Sequence, residues 1–531
     1  MLSAASLLAT LAVLVVSGVF CQMLHRRLLH PLRSVPGPWI NSVSELPAAL
    51  ALVTGNQHLY YRSLHEQYGP VVRVSPNELS FISVEAREAI YGLRKGGLNM
   101  EKSPIFLGAV GQVDGQTGVS LALNKDHARQ RRALGYLFTN SALLRLEGLL
   151  HIQLDKFVSI LGTMAAEDRA VDVSDWYTYL AFDIMGDLCF AEPFGCLDQA
   201  SATEWSTSVI NVFVAATWTQ AIRRLSGVGT RLERLLTRLL VPSKAAAWRT
   251  THLNNSREKT LRRLADHSDG RLLRDHTDFI HQILHNSTAS KSLSRTEIIL
   301  NMALFISAGT DTTATALTGW TYFVCTHGEV YERLVREVRT AFSTPPPPLG
   351  GGGGGGGGGQ QHGELEEEEE EEDDTTTISI RWETVSRLRY LEATLNEALR
   401  LFPPSPATQQ RLVPAGGATI DGHYVPAGTT VGVSPWASTR SRMNFHEPDS
   451  FKPERWLVGG DEGGGKDSDF SNDRLNASLP FGTGPRVCIG KNLAYMEMRL
   501  IAAHLLYNFD LELDRGGSME GRTACGAWTD G

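Results

Sequence analysis

The amino-acid sequence predicts a mainly α-helical protein with small β-sheets, preceded by a single N-terminal transmembrane helix. Three observations support this prediction: an uncharged apolar N-terminus, a long body with helical spacing of apolar residues, and a few short segments typical of strands. With 531 residues, the chain is long enough to enclose a large hydrophobic core. Because 42% of the residues are hydrophobic, a collagen-like or wholly disordered protein is excluded.

The first 24 residues carry no charged side chain and consist mainly of Leu, Ala, Val and Ser. This length is sufficient for a helix that crosses the hydrocarbon core of a bilayer. Arg26, Arg27 and Arg33 follow the apolar run, whereas a secretory signal has its charges before it. We therefore expect an uncleaved membrane anchor with the body in the cytosol, and a cleaved signal peptide is the alternative.

Residues 25–39 are expected to form a basic, proline-rich hinge between the anchor and a globular domain at residues 40–531. Pro36 and Pro38 prevent continuation of the helix, because proline lacks an amide hydrogen and restricts the preceding residue. Within the domain, residues 71–74 and 79–82 are predicted strands around a Ser-Pro-Asn turn. Residues 136–161 and 176–190 have helical spacing.

A low-complexity insertion occupies residues 344–377, with four prolines, ten consecutive glycines and an acidic run. Such a composition cannot build a core, so we interpret the segment as an inert surface loop, with a regulatory role as the alternative. Its ten acidic residues dominate the charge of the chain. Without them the formal net charge would change from −8 to +2, so the composition indicates no nucleic-acid-binding surface.

Residues 221–248 combine Leu, Ile and Val with six basic side chains. A basic amphipathic helix of this kind can lie on a membrane surface. The alternative is an ordinary solvated helix face.

The most specific motif is the decapeptide at residues 481–490, in which Cys488 lies between glycines and two positions after Arg486. Glycine permits backbone conformations that can aim amide N–H groups at the sulfur and favour a thiolate. Arg486 can bind an anionic group beside it. A helix is predicted from Gly490 onward, which would place the thiolate near a positive helix end. The six cysteines otherwise show neither a disulfide framework nor a zinc spacing.

A second motif lies in the middle of a long predicted helix. This helix begins at a capping box formed by Ser294 and Glu297 and extends to about Cys325. Residues 308–313 read Ala-Gly-Thr-Asp-Thr-Thr, although glycine and clustered threonine are unfavourable inside a helix. The pattern is either a tolerated local weakness or a functional groove.

Three further groups of residues have weaker signals. Glu397 and Arg400 share one face of a predicted helix, and Arg455 follows in a Pro-Glu-Arg segment. His127 and Arg131 are spaced four residues apart, as neighbours on a helix face are. Arg411 follows a segment rich in proline. Each of these signals alone is ambiguous, because exposed pairs of this kind are common on helices.

Together, these motifs resemble those of the cytochrome P450 family and occur in the same order. The resemblance covers residues 2–513 and fills every fixed position of the haem-binding loop Phe-x-x-Gly-x-Arg-x-Cys-x-Gly. It implies a cytochrome P450 fold, protohaem as cofactor, and Cys488 as the axial thiolate ligand of the haem iron, which favours O–O cleavage. The side chains that it assigns to cofactor binding are His127, Arg131, Arg411, Phe481, Arg486 and Cys488.

The resemblance also assigns roles to the other motifs. Asp311 would relay protons from solvent as a general acid–base, and Thr312 would donate a hydrogen bond to the reacting oxygen. The third motif is expected to have a structural role. Burying an arginine costs free energy unless its charge is fully paired. A buried ion network is expected among Glu397, Arg400 and Arg455.

The resemblance implies a haem-thiolate monooxygenase that inserts one oxygen atom of O₂ into an apolar small molecule, similar to the secondary-metabolism enzymes of filamentous fungi. NADPH–cytochrome P450 reductase would supply electrons, with cytochrome b5 as an optional second donor. Lipid of the endoplasmic reticulum membrane would hold the single-pass anchor, and no nucleic acid is involved. An isomerase or dehydratase of the same fold is disfavoured by Thr312.

The C-terminal sequence departs from the family pattern. After an expected strand at residues 509–513, the chain lacks the alternating apolar residues of the usual final hairpin. A non-catalytic or degenerate haem-binding membrane protein is therefore the alternative function.

Overall fold

A computed structural model describes residues 4–94, 99–268, 278–286, 288, 292–343, 380–457 and 469–514. Helices dominate this part of the chain, as predicted. The predicted insertion at residues 344–377 and the residues after Asp514 lie outside the described residues. In chain order, the helices are α1 (Ala4–Leu28), α2 (Trp39–Val43), α3 (Leu46–Val53), α4 (Gln57–Tyr68), α5 (Val84–Tyr91), α6 (Asn124–Leu134), α7 (Asn140–Leu144), α8 (Glu147–Ala166), α9 (Val173–Phe190), α10 (Cys196–Gln199), α11 (Glu204–Ser226), α12 (Arg231–Leu240), α13 (Ser243–Ser268), α14 (Phe279–His285), α15 (Arg295–Thr326), α16 (Gly328–Ser343), α17 (Trp382–Val385), α18 (Arg389–Leu401), α19 (Pro435–Thr439) and α20 (Lys491–Asn508).

The strands of the described residues form small sheets beside the helices. They are β1 (Val71–Ser75), β2 (Glu78–Phe81), β3 (Glu101–Lys102), β4 (Arg411–Leu412), β5 (Ala418–Ile420), β6 (His423–Val425) and β7 (Thr430–Val433). One sheet has the order β1-β2-β7-β4-β3, and β5 pairs with β6. The β1–β2 hairpin corresponds to the predicted strands, with Val71 opposite Phe81. The β2–β7 pair is parallel and joins residues about 350 positions apart.

The central helix α15 begins at the predicted capping box. The Ser294 hydroxyl accepts a hydrogen bond from the Glu297 N–H at 3.1 Å, and the Glu297 carboxylate accepts one from the Ser294 N–H at 2.9 Å. The helix packs against α9, which is buried throughout from Tyr179 to Phe190. Trp320 lies in the same large hydrophobic cluster and is fully buried. This apolar burial holds α15 at the centre of the fold.

The N-terminal helix α1 ends at Leu28, inside the predicted basic hinge. Several of its described apolar side chains are exposed, among them Val16 and Phe20. In the parts of the chain that the structure describes, no helix combines the length and the apolar character that crossing a bilayer requires.

The basic segment at residues 221–248 is not one continuous helix. Gly227 and Gly229 have φ angles of 80° and 78°, a region that favours glycine, and they end α11. A second break follows α12, where Pro242 precedes α13. The single amphipathic helix is therefore divided into the end of α11, all of α12 and the start of α13.

Two other predicted elements also differ from the structure. The helical pattern at residues 136–161 is interrupted at Thr139, whose hydroxyl caps α7. Residues 509–513, expected to be a strand, pair with no strand among the described residues. Instead, the N–H of Leu511 donates a hydrogen bond to the Tyr331 hydroxyl at 2.8 Å. This contact holds the chain against the start of α16 without requiring a sheet.

Candidate active site

A cavity of about 280 Å³ lies between α15, α20 and the loop at residues 481–490. The sequence motifs meet at this cavity, because Cys488 and Arg486 on the loop, Thr312 on α15, and His127 and Arg131 on α6 all line it. Most of the remaining wall is apolar, including Leu304, Phe305, Ala308, Ala316, Leu399, Leu493 and Ala494. The fold therefore brings distant motifs around one mainly apolar cavity.

The cysteine loop depends on its glycines. Gly482 and Gly484 both have a φ of 70°, which other residues rarely adopt. A Cβ atom at Gly484 would also lie 1.9 Å from the carbonyl oxygen of Tyr91, so a larger residue would displace α5. The N–H of Cys488 donates a hydrogen bond to the Phe481 carbonyl at 2.8 Å. This turn directs the Cys488 side chain to the cavity, and the Phe481 ring forms part of the adjacent wall.

The thiol of Cys488 is exposed to the cavity but surrounded by protein. Burial raises the pKa of this thiol above its usual value, whereas a backbone hydrogen bond from Gly490 and the charges of Arg131 and Lys491 act to lower it. Burial thus disfavours the charged form of the free thiol, while the backbone of the loop acts in the direction expected from the sequence. Coordination to a metal deprotonates a thiol directly, so the arrangement suits an iron ligand.

Cationic side chains gather on one side of the cavity. Arg486 donates from Nη2 to the Ala122 carbonyl at 2.7 Å and to Asn124 Oδ1 at 3.1 Å. Its Nε and Nη1 atoms are buried and have no hydrogen-bond partner among the described residues. Arg131 donates from Nη1 to the Val487 carbonyl at 2.5 Å. Both arginines thus make structural contacts beside the cavity, and Arg486 also has donor atoms without a partner among the described residues.

Lys102 adds a further positive charge that the sequence analysis did not identify. It lies at the end of β3, lines the cavity and approaches the Phe106 ring to 4.2 Å. Burial and the charges of Arg411 and Arg486 lower its pKa well below the usual value. No pattern around Lys102 in the sequence marks it as a ligand, because only the pairing of β3 with β4 brings it here.

The electrostatics of this cluster indicate an anionic ligand. Burial, followed by the charges of Arg486 and Arg131, lowers the pKa of His127 to about 4. Burial and then Arg411 lower the pKa of Arg486 to about 10, although Glu101 lies 3.4 Å away. A ligand that brings carboxylates would relieve this excess of positive charge. The cationic cluster, the apolar walls and the sulfur together fit protohaem, whose propionates are the required anions.

Arg411, which the family resemblance assigns to cofactor binding, does not line this cavity. Its guanidinium lies 5.0 Å from the centre of the Tyr91 ring, and its Nη1 donates to the carbonyls of Gln409 and Gln410. These hydrogen bonds use Nη1, and the assignment of Arg411 to the cofactor stays a prediction. Arg411 still contributes positive charge, because it lowers the pKa of Lys102.

The glycine- and threonine-rich segment at residues 308–313 does not interrupt α15. The Thr312 hydroxyl donates to the Ala308 carbonyl at 2.6 Å, within the helix. At Gly309, an added Cβ atom would lie 2.5 Å from the Met185 sulfur, so glycine permits the close approach of α9. Burial raises the pKa of Asp311 to about 7. A carboxyl group with this pKa can both donate and accept a proton near neutral pH.

A second cavity of about 280 Å³ adjoins the first. Both cavities are lined by Thr312, Pro404 and Ser405, whereas Asp311 lines only the second. The second cavity extends between α3, α11 and residues 404–410. Thr312 therefore lies at the boundary between a space suited to a cofactor and a space suited to a substrate.

Glu497 was not identified from the sequence. It lies on α20, lines the first cavity and accepts a hydrogen bond from the Thr313 hydroxyl at 3.2 Å. Its Oε1 atom has no partner among the described residues. Burial raises the pKa of Glu497 to about 8, so the side chain is mostly protonated at neutral pH.

The predicted ion network is fully buried. Arg400 binds both carboxylate oxygens of Glu397 at 2.8 Å, and Arg455 Nε binds one of them at 2.9 Å. Arg455 also pairs with Asp473, which the sequence analysis missed. Two arginines therefore face two carboxylates, and the charges balance.

Neighbouring groups complete this network. The Glu397 carboxylate also accepts hydrogen bonds from the Lys452 backbone N–H and the Trp456 indole, each at 2.9 Å. Arg400 donates to the carbonyls of Thr439 and Ser450 at 2.8 and 2.9 Å. Burial alone would raise the pKa of Glu397, but Arg400 and Arg455 outweigh burial and hold it below its usual value. The network thus joins α18 to the chain that leads to the cysteine loop.

Comparison with known proteins agrees with this geometry. The profile of the family described as Cytochrome P450 matches residues 36–347 and 361–524. The chain is 56% identical over 508 residues to cytochrome P450 monooxygenase aba2 of Botryotinia fuckeliana, covering 96% of this chain and 88% of the relative. It is 51% identical over 490 residues to ABA2 of Pyricularia oryzae, covering 92% and 86%. It is 36% identical over 498 residues to astJ of Aspergillus oryzae, covering 93% and 89%.

Proposed function

Because this chain belongs to the cytochrome P450 family and is a haem-dependent monooxygenase, we propose that it inserts one oxygen atom into an apolar secondary metabolite of a fungus. The observation that carries the proposal is the position of Thr312 between the two adjoining cavities. The relatives named above are fungal monooxygenases, and their similarity spans more than nine-tenths of this chain. A degenerate, non-catalytic protein is therefore not favoured.

The residues of the first cavity can hold and orient the cofactor. Cys488 would be the protein ligand of the iron, while Lys102, Arg131 and Arg486 would bind the propionates. When bound, haem supplies the activation of O₂ and the electron transfer that the reaction requires. The apolar wall excludes water, which strengthens each polar contact inside the cavity.

Asp311 and Thr312 would control the protons. With a pKa of about 7, the Asp311 carboxyl can hold a proton and release it at neutral pH. The Thr312 hydroxyl now donates to Ala308, so its O–H bond must turn away from that carbonyl before it can donate into the cavity. Asp311 would then resupply the proton that Thr312 delivers.

Replacing Thr312 with Ala tests this role. We expect haem and substrate binding to persist, because the hydroxyl contributes little to the cavity wall. Oxygen use should become uncoupled, with a several-fold rise in peroxide released per NADPH, since one positioned hydrogen bond is lost. The assay measures NADPH consumed, peroxide and product together in the presence of reductase.

Thr318→Ala is the matched control. Thr318 makes the same type of bond on α15, to the Ala314 carbonyl at 2.8 Å, but lines neither cavity. Its coupling should equal that of the parent protein. If Thr312→Ala were also fully coupled, Thr312 would be only a helix residue, and oxygen insertion through this groove would be contradicted.

We further propose that NADPH–cytochrome P450 reductase supplies the electrons, with cytochrome b5 as an optional donor, and that the protein is held in the endoplasmic reticulum membrane by an anchor at residues 1–24. The exposed apolar side chains of α1 support membrane attachment. Helix α12 also supports membrane attachment, because Leu232, Leu235 and Leu239 are exposed on it beside basic residues. The catalytic domain would face the cytosol.

The orientation can be tested with the three Asn-x-Ser/Thr sequences of the chain, which begin at Asn254, Asn286 and Asn476. With the domain in the cytosol, none of them should carry a glycan, because the modifying enzymes are luminal. The measurement is the electrophoretic mass before and after glycosidase treatment of protein from a fungal host. A glycosidase-sensitive shift would reverse the proposed topology.

A further inference from the structure

The second cavity is mainly apolar, but charged and polar side chains also line it. Helix α11 lines it with residues from Phe213 to Arg224, a distance of about 16 Å along the helix axis. The first part of this stripe is mainly apolar and includes Val214 and Trp218. The last part carries Gln220 and Arg224. An elongated molecule in this cavity would therefore meet charge at only one end of α11.

The two ends of this stripe contact different elements of the fold. Val212, beside the start of the stripe, packs with Leu300 and Ala303 of α15 in one hydrophobic cluster. Arg224, about three turns later, contacts Glu78 on β2 instead. Arg224 lines only the second cavity, whereas Thr312 lines both. Arg224 on α11 and Thr312 on α15 therefore line the second cavity from different elements of the fold.

Arg224 has an unused pair of donors. The side chain is buried, and its Nη1 atom binds Glu78 at 2.6 Å and Glu45 at 3.3 Å. Its Nε and Nη2 atoms are buried and have no partner among the described residues. These two atoms lie on one edge of the guanidinium, where their N–H bonds point in the same direction and can share an acceptor oxygen. Arg224 lines the second cavity, and Nε and Nη2 form the edge of its guanidinium that Glu78 and Glu45 leave unoccupied.

The local charge favours a neutral acceptor. Glu78 already opposes Arg224, and Glu45 is a second carboxylate beside the same guanidinium. Burial raises the pKa of Glu45, and the charge of Glu78 adds to that effect. Glu78 also accepts hydrogen bonds from Gln410 and Tyr61, which stabilise its carboxylate in addition to the ion pair with Arg224. A carboxylate ligand would add another negative charge to this cluster, whereas a carbonyl oxygen would not.

We propose that Arg224 determines substrate specificity by binding a neutral carbonyl oxygen, as in a ketone, ester or lactone, through Nε and Nη2. The apolar remainder of the substrate then lies along α11, and its far end is presented at Thr312. This inference rests on the proposed function, because it names the class of molecule that the monooxygenase oxidises and which end of it is oxidised.

The test is a spectral titration of the full-length, haem-loaded protein, in which ligand binding is followed by the shift of the Soret band. The probes are methyl laurate, lauric acid and tridecane, which have similar chain lengths but differ at one end. We expect methyl laurate to bind about tenfold to a hundredfold more tightly than tridecane, the range for a hydrogen bond to a charged donor, and more tightly than lauric acid. Equal affinity for the ester and the alkane, tighter binding of the acid, or no Soret shift with any probe would overturn the proposal.

Two variants locate the effect. The double variant Arg224→Met/Glu78→Gln removes one positive and one negative charge together, because Arg224→Met alone would leave buried carboxylates unpaired. It should lose the preference for the ester, with an affinity ratio near one. The control is Arg223→Met, since Arg223 pairs with Glu233 at 2.8 Å and does not line the cavity. A preference that persists in the double variant would exclude Arg224 as the anchor.

Product analysis separates this inference from the proposed function. If the parent protein binds the ester selectively but forms no oxygenated product with reductase, the carbonyl anchor stands and the proposed function fails. If product forms without any preference for the ester, the function stands and the anchor fails. With both correct, oxygen should enter near the end opposite the ester, and the double variant should spread it along the chain.

Discussion

Replacing Cys488 with Ser is expected to abolish the red-shifted Soret band of the reduced carbonyl complex. A serine hydroxyl stays protonated near neutral pH and cannot replace a thiolate as the axial ligand. The loop should keep its path, because the hydrogen bond from residue 488 to Phe481 uses the backbone N–H, and Gly482 and Gly484 are unchanged. The measurement is the reduced carbonyl difference spectrum, together with the haem content of the purified protein.

Cys325→Ser provides the control for the loss of a thiol. Cys325 lies on α15 but lines neither cavity, so its replacement should leave the spectrum unchanged. An unchanged red-shifted band in Cys488→Ser would mean that another group binds the iron. The assignment of the cysteine loop would then be wrong.

Replacing Glu397 with Gln is expected to lower the free energy of unfolding by about 3–5 kcal/mol, the usual cost of breaking a buried ion pair from one side. The variant would leave Arg400 and Arg455 facing only Asp473, with no route to solvent. The measurement is denaturant unfolding of the haem-loaded protein, followed by helix content and by the Soret band. Loss of 0.5 kcal/mol or less would show that the network is not stabilising.

The exposed pair of Glu383 and Arg387 offers a matched control. These residues are also joined along a helix, but both side chains are largely solvated. Glu383→Gln should therefore cost no more than about 0.5 kcal/mol, because water screens the pair. Comparison of the two variants isolates the effect of burial from the effect of removing a carboxylate.

The same carboxylate predicts a pH dependence. Because the pKa of Glu397 is lowered on folding, its contribution is present above the unfolded-state value of 4.5 and is lost as pH falls through the lower folded-state value. Unfolding measured at a series of pH values should show a smaller acid effect in Glu397→Gln than in the parent. An identical acid profile would contradict the lowered pKa.

Local motifs were the part of the site that could be predicted from the sequence. The capping box of α15 lies within four residues, and Glu397 and Arg400 are separated by one helical turn, so their geometry follows from helix periodicity. Asp473 could not be predicted, because it reaches Arg455 only after the chain has folded back over 18 positions. Lys102 depends similarly on the pairing of β3 with β4.

The degree to which each side chain is buried was the other property that could not be predicted from sequence patterns. Asp311 was predicted as a proton relay, but its pKa of about 7 comes from the desolvation that the packed fold imposes. The contacts of Arg411 with Tyr91 were unpredictable for the same reason, since they depend on tertiary packing. By contrast, Gly227 and Gly229 in the sequence indicated the break after α11. The helical spacing of the surrounding residues nevertheless led to the prediction of one continuous helix.

The buried network also limits how this protein can be recombined with its relatives. Glu397 and Arg400 lie on α18, whereas Thr439, Arg455 and Asp473 belong to the chain after it. A chimaera joined between Leu401 and Thr439 therefore assembles this network from two parents. If the two parents do not place these acceptors alike, the buried arginines are left with unpaired donors and the hybrid should be less stable than either parent. Crossovers before α18 or after Asp473 keep the network within one parent and should yield folded hybrids.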